Sequence, residues 1–573
     1  MSTDRRTRQF MDFSGAGSGT YDLTWSQKQV CSWMEQAAPH IANMNLAGLI
    51  EVGGGISVDD VIAALRVVVE RHEALRTRVH LDPTGTYRQV VHSGGRLPVD
   101  VRECITDDEA EAEAEAELAE IKSLPFTSVE WPLRVSVLVS AGEVVKIAVC
   151  VSHIATDGWG MGVLHGELTG LLSRDAGARK ALLEKPVRQP REQAAWERTH
   201  GDSATRRAEI FAAGQLKHFP NQRFPLPRRA PESPRFPEIM MESSASAVAV
   251  ARLAEDVQVT PHTVVVGAIS VLLSALSRSD RATFRIFCAN RLDKATQSSL
   301  GSFYQVVPVS VEVGDLPFRE VVRTAWKKTM GAYLLGPGDP VRLDALAEAV
   351  VRERGVKPDL ECFVNLHNLT SPAALEAACG VGPGVREATR TWRRGGNEIW
   401  EPGKFYLDVW NVAEKLVVSL WGDTELFPSD ALADVLASLE EILVRGADDS
   451  ELGAAELIRS VRRLPGAPVR GGLEYVDPCW VDLAEVRQAM AECLSPHAIE
   501  VALEPGADPS GASIVAYLDL GGRNLTPTEI HRLVVAGLRG RRFVRAPHRY
   551  VIRDRSPDGP ASPEEHPKDE RRS

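Results

Sequence analysis

What is missing from this sequence narrows its function first. No two cysteines form a CxxC pair and none belongs to a CxxC…HxxxH spacing, so a structural zinc site is not expected. The eight cysteines stand singly, at Cys31, Cys104, Cys150, Cys288, Cys362, Cys379, Cys479 and Cys493. Cys150 lies within the apolar run VVKIAVCV, where cysteine serves as a small hydrophobe; a reduced, cytoplasmic setting is expected. No stretch reaches the ~20 apolar residues of a membrane span, and MSTDRRTRQFMDF carries charge with no apolar run behind it. Neither a membrane anchor nor a secretory signal is expected. Basic excess is also lacking, since 66 Lys and Arg face 78 Asp and Glu, a formal net charge of −12. Nothing is left over to neutralise nucleic-acid phosphates, and no nucleic-acid partner is expected. There is no internal repeat of short period.

What is present divides by texture. At 573 residues the chain exceeds a single hydrophobic core. In a first block, residues 1–185, Ser57 and Asp60 have the capping-box spacing, and Ile62, Leu65 and Val69 recur at helical intervals. The Glu/Ala run from Glu109 to Glu120 consists of strong helix formers and reads as a solvated helix. Two β-rich runs, Trp131–Ser140 and Glu143–Ser152, flank Ala141–Gly142 as in a hairpin. Residues 186–238 are dense in proline, arginine and glutamate. Proline there argues against an interior helix or central strand, so this stretch reads as a connector. A second block, 239–450, carries a long helix over Thr260–Arg278, β-rich runs at Phe303–Val313, Phe405–Asn411 and Lys415–Trp421, and a helix over Pro428–Val444. A smaller block covers 470–555. The tail 556–573 has nothing to bury and is expected to be disordered.

The segment that carries chemistry is Val151–Gly160, VSHIATDGWG. A β-rich run delivers Ser152 and His153, and Asp157–Gly158 follows just before a helical pattern resumes. A histidine on a turn at a strand end can reach a cleft without being packed away. Taken alone, His153 reads rather as one of 14 histidines held by local backbone, and Asp157 equally as a helix N-cap.

Context changes that balance. VSHIATDGWG resembles the HHxxxDG signature of the condensation domains of nonribosomal peptide synthetases, members of the chloramphenicol-acetyltransferase-like superfamily. Five further segments resemble that family in order. They are LTWSQKQVCSW at Leu23–Trp33, RHEALRTR at Arg71–Arg78, WPLRVSVL at Trp131–Leu138, Ala289–Asn290–Arg291 with LGSFYQVVP at Leu300–Pro308, and CFVNLHN around Phe363–Asn365. REQAAWER, within the connector, echoes a further family segment. The resemblance covers about residues 20–445. It departs from the family at the first histidine of the signature, which is Ser152 here; a serine still donates and accepts a local hydrogen bond.

The resemblance implies an α/β fold of two chloramphenicol-acetyltransferase-like lobes in a V arrangement, followed by a small α/β carboxyl-terminal subdomain. It assigns catalysis to His153. It assigns support of the active-site loop to Ser152, Asp157, Gly158 and an arginine partner of Asp157, with Arg291 the first candidate and Arg76 the second; a bidentate carboxylate–guanidinium pair would suit that turn. A side chain at Gly158 would obstruct the bound acyl group. Trp159, Asn365 and Tyr304 are candidate tunnel-lining residues. The 480–554 region looks like the small subdomain of adenylate-forming enzymes, without the lysine segment that normally ends it and without the large core. LGGRN at Leu520–Asn524 lacks the serine that would bear phosphopantetheine. The implied function is that of a free-standing condensation enzyme of natural-product biosynthesis. It would join a carrier-bound acyl or aminoacyl thioester to an amine or hydroxyl acceptor, which is itself a small molecule or carrier-bound. No bound cofactor or metal is implied; phosphopantetheine arrives on acyl or peptidyl carrier proteins, the expected partners. Two alternatives stand beside this reading: an acyltransferase of the same fold using coenzyme-A thioesters, and a non-catalytic recruitment module, for which Ser152 is the sequence hint.

Overall fold

The structure is a computed structural model that describes residues 6–367, 389–398, 403–412, 414–461, 471–505, 511–538 and 540–553. Cys379 and the tail 556–573 lie outside the described residues. Contacts gather into two compact units. The first is made of Met1–Arg206, Cys288–Gln305 and Pro337–Pro340, the second of Arg207–Phe287, Val306–Gly336 and Val341–Ser573. Two segments of the second sequence block thus belong to the first unit, although no local change of composition marks them.

The first unit is organised around a hairpin. Strands Leu133–Ser140 and Glu143–Val151 pair antiparallel, with Ala141 (φ 51°) and Gly142 (φ 84°) between them. Positive φ at both central residues gives the two-residue turn whose twist matches paired strands, and Gly142 adopts it without steric cost. The five-stranded sheet runs, in spatial order, Arg6–Ser14, Gly94–Cys104, Leu133–Ser140, Glu143–Val151, Leu46–Glu51. Val137, Ile147 and Val149 pack with Val61, Leu65 and Val68 of helix Val58–Arg71 and with Leu164 and Leu168 of helix Gly158–Leu172. Leu138, Ala148 and Cys150 instead meet Ala110 and Ala114 of helix Asp107–Ser123, as period-two alternation requires. Burial of each such aliphatic side chain contributes about 1.5–3 kcal/mol. Helix Val58–Arg71 begins at Ser57, where both arms of the capping box are formed with Asp60. The Glu/Ala run is helical but not wholly solvated: Glu117 is 1% exposed and paired with Arg6 and Arg102.

The second unit holds a seven-stranded sheet, in spatial order Gln305–Glu312, Arg281–Cys288, Cys362–Leu366, Phe405–Val412, Leu416–Gly422, Phe236–Ser243, Arg390–Asn397. Helix Pro261–Ser277 is buried almost all round, with helices Phe318–Leu335 and Ser429–Asp448 against it. Residues 186–238, read as a connector, contain the 27-residue helix Pro190–Leu216. Pro190 occupies its first turn, where a missing N–H breaks no intrahelical bond. Strand Phe236–Ser243 has a neighbour on each side, but only Glu238–Ser243 pair with Leu416–Trp421, so Pro237 is paired on one side alone, with Gly396. Pro237 is its second residue and lies beside a register shift between Arg393 and Gly395, an irregular ladder position that tolerates proline.

Residues 471–553 form a short strand pair, a three-stranded sheet and two helices, and their core extends into the rest of the second unit. Val356 packs with Val486, Met490, Ile514 and Ala546. The Ala546 N–H donates to the Gly355 carbonyl at 2.8 Å, Trp480 Nε1 to Ser277 O at 2.9 Å and Asn221 Nδ2 to Val544 O at 2.7 Å. Among the described residues no single helix is long and apolar enough to cross a membrane; consecutive helices Ser244–Val257 and Pro261–Ser277 are so only together, and bend by 105°.

Candidate active site

Strand Glu143–Val151 ends where the backbone N–H of Ser152 donates to Pro132 O, at 3.0 Å, and the Ala155 N–H closes a turn onto Ser152 O at 2.9 Å. His153 stands on that turn, half-buried. Its Nδ1 lies 2.9 Å from the carbonyl oxygen of Thr156. A carbonyl only accepts, so Nδ1 carries the proton and Nε2 of the neutral ring keeps its lone pair. The Tyr304 ring stacks on the imidazole, centroids 5.1 Å apart and planes 29° from parallel. Burial holds the His153 pKa below the ordinary histidine range, against the Thr156 carbonyl and the Asp157 charge, which favour protonation. The neutral ring is therefore the form present at pH 7.

Asp157 begins helix Gly158–Leu172 as its N-cap, accepting from the Gly160 N–H at 2.8 Å. The same oxygen accepts from Arg291 Nη2 at 2.7 Å, and Oδ2 accepts from the Phe303 N–H at 2.9 Å. Asp157 is 3% exposed and Arg291 6%. The pair is thus single-pronged rather than bidentate, because backbone donors occupy the rest of the carboxylate. The other bonds of Arg291 go to the carbonyls of Thr296, Ser299 and Gly301, at 2.5, 2.7 and 2.9 Å. Asp157 and Arg291 are 134 residues apart in sequence, and their bond ties the loop to the Cys288–Gln305 segment.

Arg76, the second candidate partner, does not reach Asp157. Its guanidinium donates to the carbonyls of Ala16, Gly17 and His92. Its neighbour His72 is fully buried, accepting from the Leu300 N–H through Nδ1 at 3.2 Å and facing Glu167 through Nε2 at 2.9 Å. Trp159 is 37% exposed, and its Nε1 donates to Gln297 O. A Cβ added at Gly158 would meet no neighbouring side chain or backbone atom within 4 Å, so the fold itself leaves room there for a side chain. Asn365 belongs to the second unit. There its Nδ2 lies 2.9 Å from Asp408 Oδ1 and 3.2 Å from the Tyr406 hydroxyl, beside a His367–Asp408 pair at 3.0 Å.

Sequence reasoning missed Gly160, where a Cβ would lie 2.3 Å from Thr156 Oγ1; its place in the signature offered no sign of that. It also missed Thr156, whose carbonyl sets the imidazole tautomer through a backbone atom that any residue supplies. Two of the matching segments, Leu23–Trp33 and Leu300–Pro308, meet within the first unit. Ser26 Oγ is 2.8 Å from Ser302 Oγ, and the Trp33 ring lies 6.1 Å from that of Tyr304.

The family model for the condensation domain matches residues 18–334, more than half of the chain. The chain belongs to the condensation-domain family. Its curated relatives include one polypeptide of the linear gramicidin synthase of Brevibacillus parabrevis, 28% identical over 331 residues. Another is the isonitrile lipopeptide synthase of Mycobacterium tuberculosis, 28% identical over 327 residues. Each match covers 54% of this chain but only 4% and 13% of the relative, so these condensation relatives are far longer assemblies. Among solved structures, the condensation domain of the monacolin K polyketide synthase MokA aligns with a TM-score of 0.60 at 17% identity, over 76% of this chain and 99% of that one. SgcC5 of Streptomyces globisporus aligns at 0.57 and 20% identity, over 75% of this chain and 100% of that one. These alignments give the condensation domain its chloramphenicol-acetyltransferase-like α/β fold. The family match stops short of the 470–555 block, and nothing in it bears out a kinship with adenylate-forming enzymes.

Proposed function

We propose that this condensation domain is catalytic, joining an acyl or aminoacyl thioester carried on a phosphopantetheine arm to an amine or hydroxyl acceptor. The observation that carries the reading is His153, a neutral imidazole at a strand end with Nδ1 engaged by Thr156 O and Nε2 left to accept a proton. The chain itself has no carrier serine at LGGRN, so the thioester would come from acyl or peptidyl carrier proteins beyond this sequence.

The chemistry asks little of the protein. A thioester is already activated, and holding donor and acceptor together supplies proximity. As the acceptor nitrogen or oxygen attacks the thioester carbonyl, Nε2 takes its proton. The tetrahedral intermediate then collapses, the thiolate departs, and the imidazolium returns that proton to sulfur. No residue other than His153 moves a proton in this scheme; Asp157 and Arg291 hold the loop.

An α-amino acceptor, with a pKa of about 7.7–8.0, is about a tenth or more unprotonated at neutral pH and needs positioning more than deprotonation. A hydroxyl needs a base, worth about 10²–10⁴-fold. Single-turnover transfer from a loaded carrier protein to matched amine and alcohol acceptors tests this. His153→Ala is expected to slow both, the alcohol by about 10²–10⁴-fold and the amine by less. Equal rates for wild type and variant with both acceptors would overturn the catalytic reading and favour a recruitment module, the role that Ser152 hints at. Preference for the free coenzyme-A thioester over the carrier-bound donor would instead favour the acyltransferase alternative.

A further inference from the structure

We propose that Tyr304 is the positioning residue of His153: its ring face, backed by Trp33, holds the imidazole plane so that Nδ1–H stays on the Thr156 carbonyl and Nε2 stays free. This role rests on the proposed function only for its catalytic consequence; the geometry of the ring stands without it.

Three observations converge on Tyr304. First, the Thr156 contact restrains the imidazole at one edge atom, and rotation about the Cβ–Cγ bond is further limited by what lies on the ring faces. Tyr304 supplies a face, 5.1 Å away and 29° from parallel. A ring flip would exchange Nδ1 for a carbon at the Thr156 carbonyl, so the stack and the hydrogen bond restrain each other. Second, Tyr304 is itself fixed. It is 6% exposed, packs against Trp33 of helix Trp25–Ala37 at 6.1 Å, and follows Phe303, whose N–H is held by Asp157 Oδ2 at 2.9 Å. The carboxylate that caps the helix after His153 thus also anchors the residue before Tyr304. Third, Ser302, two residues earlier, bonds Ser26 Oγ at 2.8 Å, so the segment is held at a second point close to the tyrosine.

The charges around the imidazole agree with a base kept neutral. Asp157, on the histidine's own loop, favours the protonated ring but is engaged by Arg291 from the Cys288–Gln305 segment. Tyr304, from that same segment, is kept un-ionised by burial, and Asp157 pushes its hydroxyl pKa further up. The neighbouring residue of helix Trp25–Ala37, Trp33, carries no charge. Desolvation, to which the Tyr304 ring contributes a wall, prevails and lowers the His153 pKa.

The test is an NMR titration of the full chain labelled with 13C and 15N at histidine, with His153 signals assigned by their loss in His153→Gln. Wild type is expected to titrate His153 below the ordinary histidine range, with 15N shifts of the Nδ1–H tautomer. Tyr304→Phe should leave both unchanged. Tyr304→Met, which removes the ring face and leaves an apolar side chain in its place, should raise the midpoint towards the ordinary range and mix the tautomers. If Tyr304→Met does not fold, Trp33→Leu should move both readouts in the same direction by loosening the tyrosine from behind. Unchanged midpoint and tautomer in a folded Tyr304→Met or Trp33→Leu variant would overturn the proposal, as would a wild-type His153 in the Nε2–H tautomer. In single-turnover transfer, Tyr304→Met should lose roughly 10–10²-fold, the effect of slight misplacement of a reacting group, with the loss steeper at acid pH. A titration that behaves as expected beside a His153→Ala variant of full activity would sink the catalytic reading alone.

Discussion

His153 in the first unit and His367 in the second are both histidines at strand ends beside an aromatic ring, yet they turn opposite nitrogens to their partners. His153 donates from Nδ1 to a backbone carbonyl and stacks on Tyr304. His367 lies 4.3 Å from Trp410 with planes 3° apart, and turns Nε2 towards the Asp408 carboxylate at 3.0 Å. A carboxylate accepts, so the proton of that contact sits on Nε2. Which nitrogen is engaged is decided by the partner, Thr156 on the same turn for His153 and Asp408 from another strand for His367. The comparison also separates two kinds of anchor. Both carboxylates are nearly sealed from solvent, but Asp157 is neutralised by Arg291, whereas Asp408 is bonded by Asn365 and a partly exposed imidazole.

The strongest way to break this comparison is to remove each ring. His153→Ala should cost about 10²–10⁴-fold in ester-forming transfer, and His367→Ala no more than a small factor in the same single-turnover assay; equal losses would make the two sites equivalent. Next come the anchors. Asp157→Asn leaves Arg291 charged and buried, which typically costs roughly 3–5 kcal/mol. Its three remaining carbonyl acceptors place the expected loss near the lower end. Asp408→Asn should cost about 1 kcal/mol, the worth of an ordinary hydrogen bond. Denaturant unfolding of both variants measures the difference, and an Asp157→Asn protein of wild-type stability would refute the anchoring role.

A third carboxylate extends the comparison through pH. Glu197 is 9% exposed, accepts from the Trp25 N–H at 2.7 Å, and burial pushes its pKa up to about 7. A folded-state pKa above the unfolded value stabilises the fold at acid pH, and that contribution is lost as pH rises through about 7. Glu197→Gln should therefore gain stability relative to wild type above pH 7, on the order of 2–3 kcal/mol, and lose that advantage near pH 5. Thermal unfolding across pH 5–8 shows whether the two curves converge on the acid side. The smallest effect concerns the two glycines after Asp157. Gly160→Ala drives a Cβ into Thr156 Oγ1, an overpacking cost of about 1–3 kcal/mol. Gly158→Ala meets open space and should unfold like wild type, so any loss of transfer it shows would report the substrate's path.

Much of the first unit is legible in the sequence because its signals are local. The Ser57–Asp60 spacing specifies its capping box, Ala141–Gly142 its turn, and the alternation in VSVLVS and VVKIAVCV its two-faced strands. The helical propensity of the Glu/Ala run settles its conformation. It does not settle that Glu117 is covered, since that depends on arginines from two distant strands. In the 186–238 stretch the density of proline hid the helix Pro190–Leu216, because its effect depends on position: the first turn of a helix accepts Pro190, and the singly paired start of a strand accepts Pro237.

By itself the sequence determined most element types of the first unit, the family and the signature loop with His153 and Asp157. These follow from side-chain periodicity, capping chemistry and residue spacing within a few turns of chain. Tertiary structure alone decided that the Cys288–Gln305 segment joins the first unit, that Arg291 rather than Arg76 meets Asp157, and that Tyr304 lies across His153. Each of these is set by contacts that only the folded chain brings about, many of them through backbone carbonyls and N–H groups that nearly every residue carries and no sequence pattern marks.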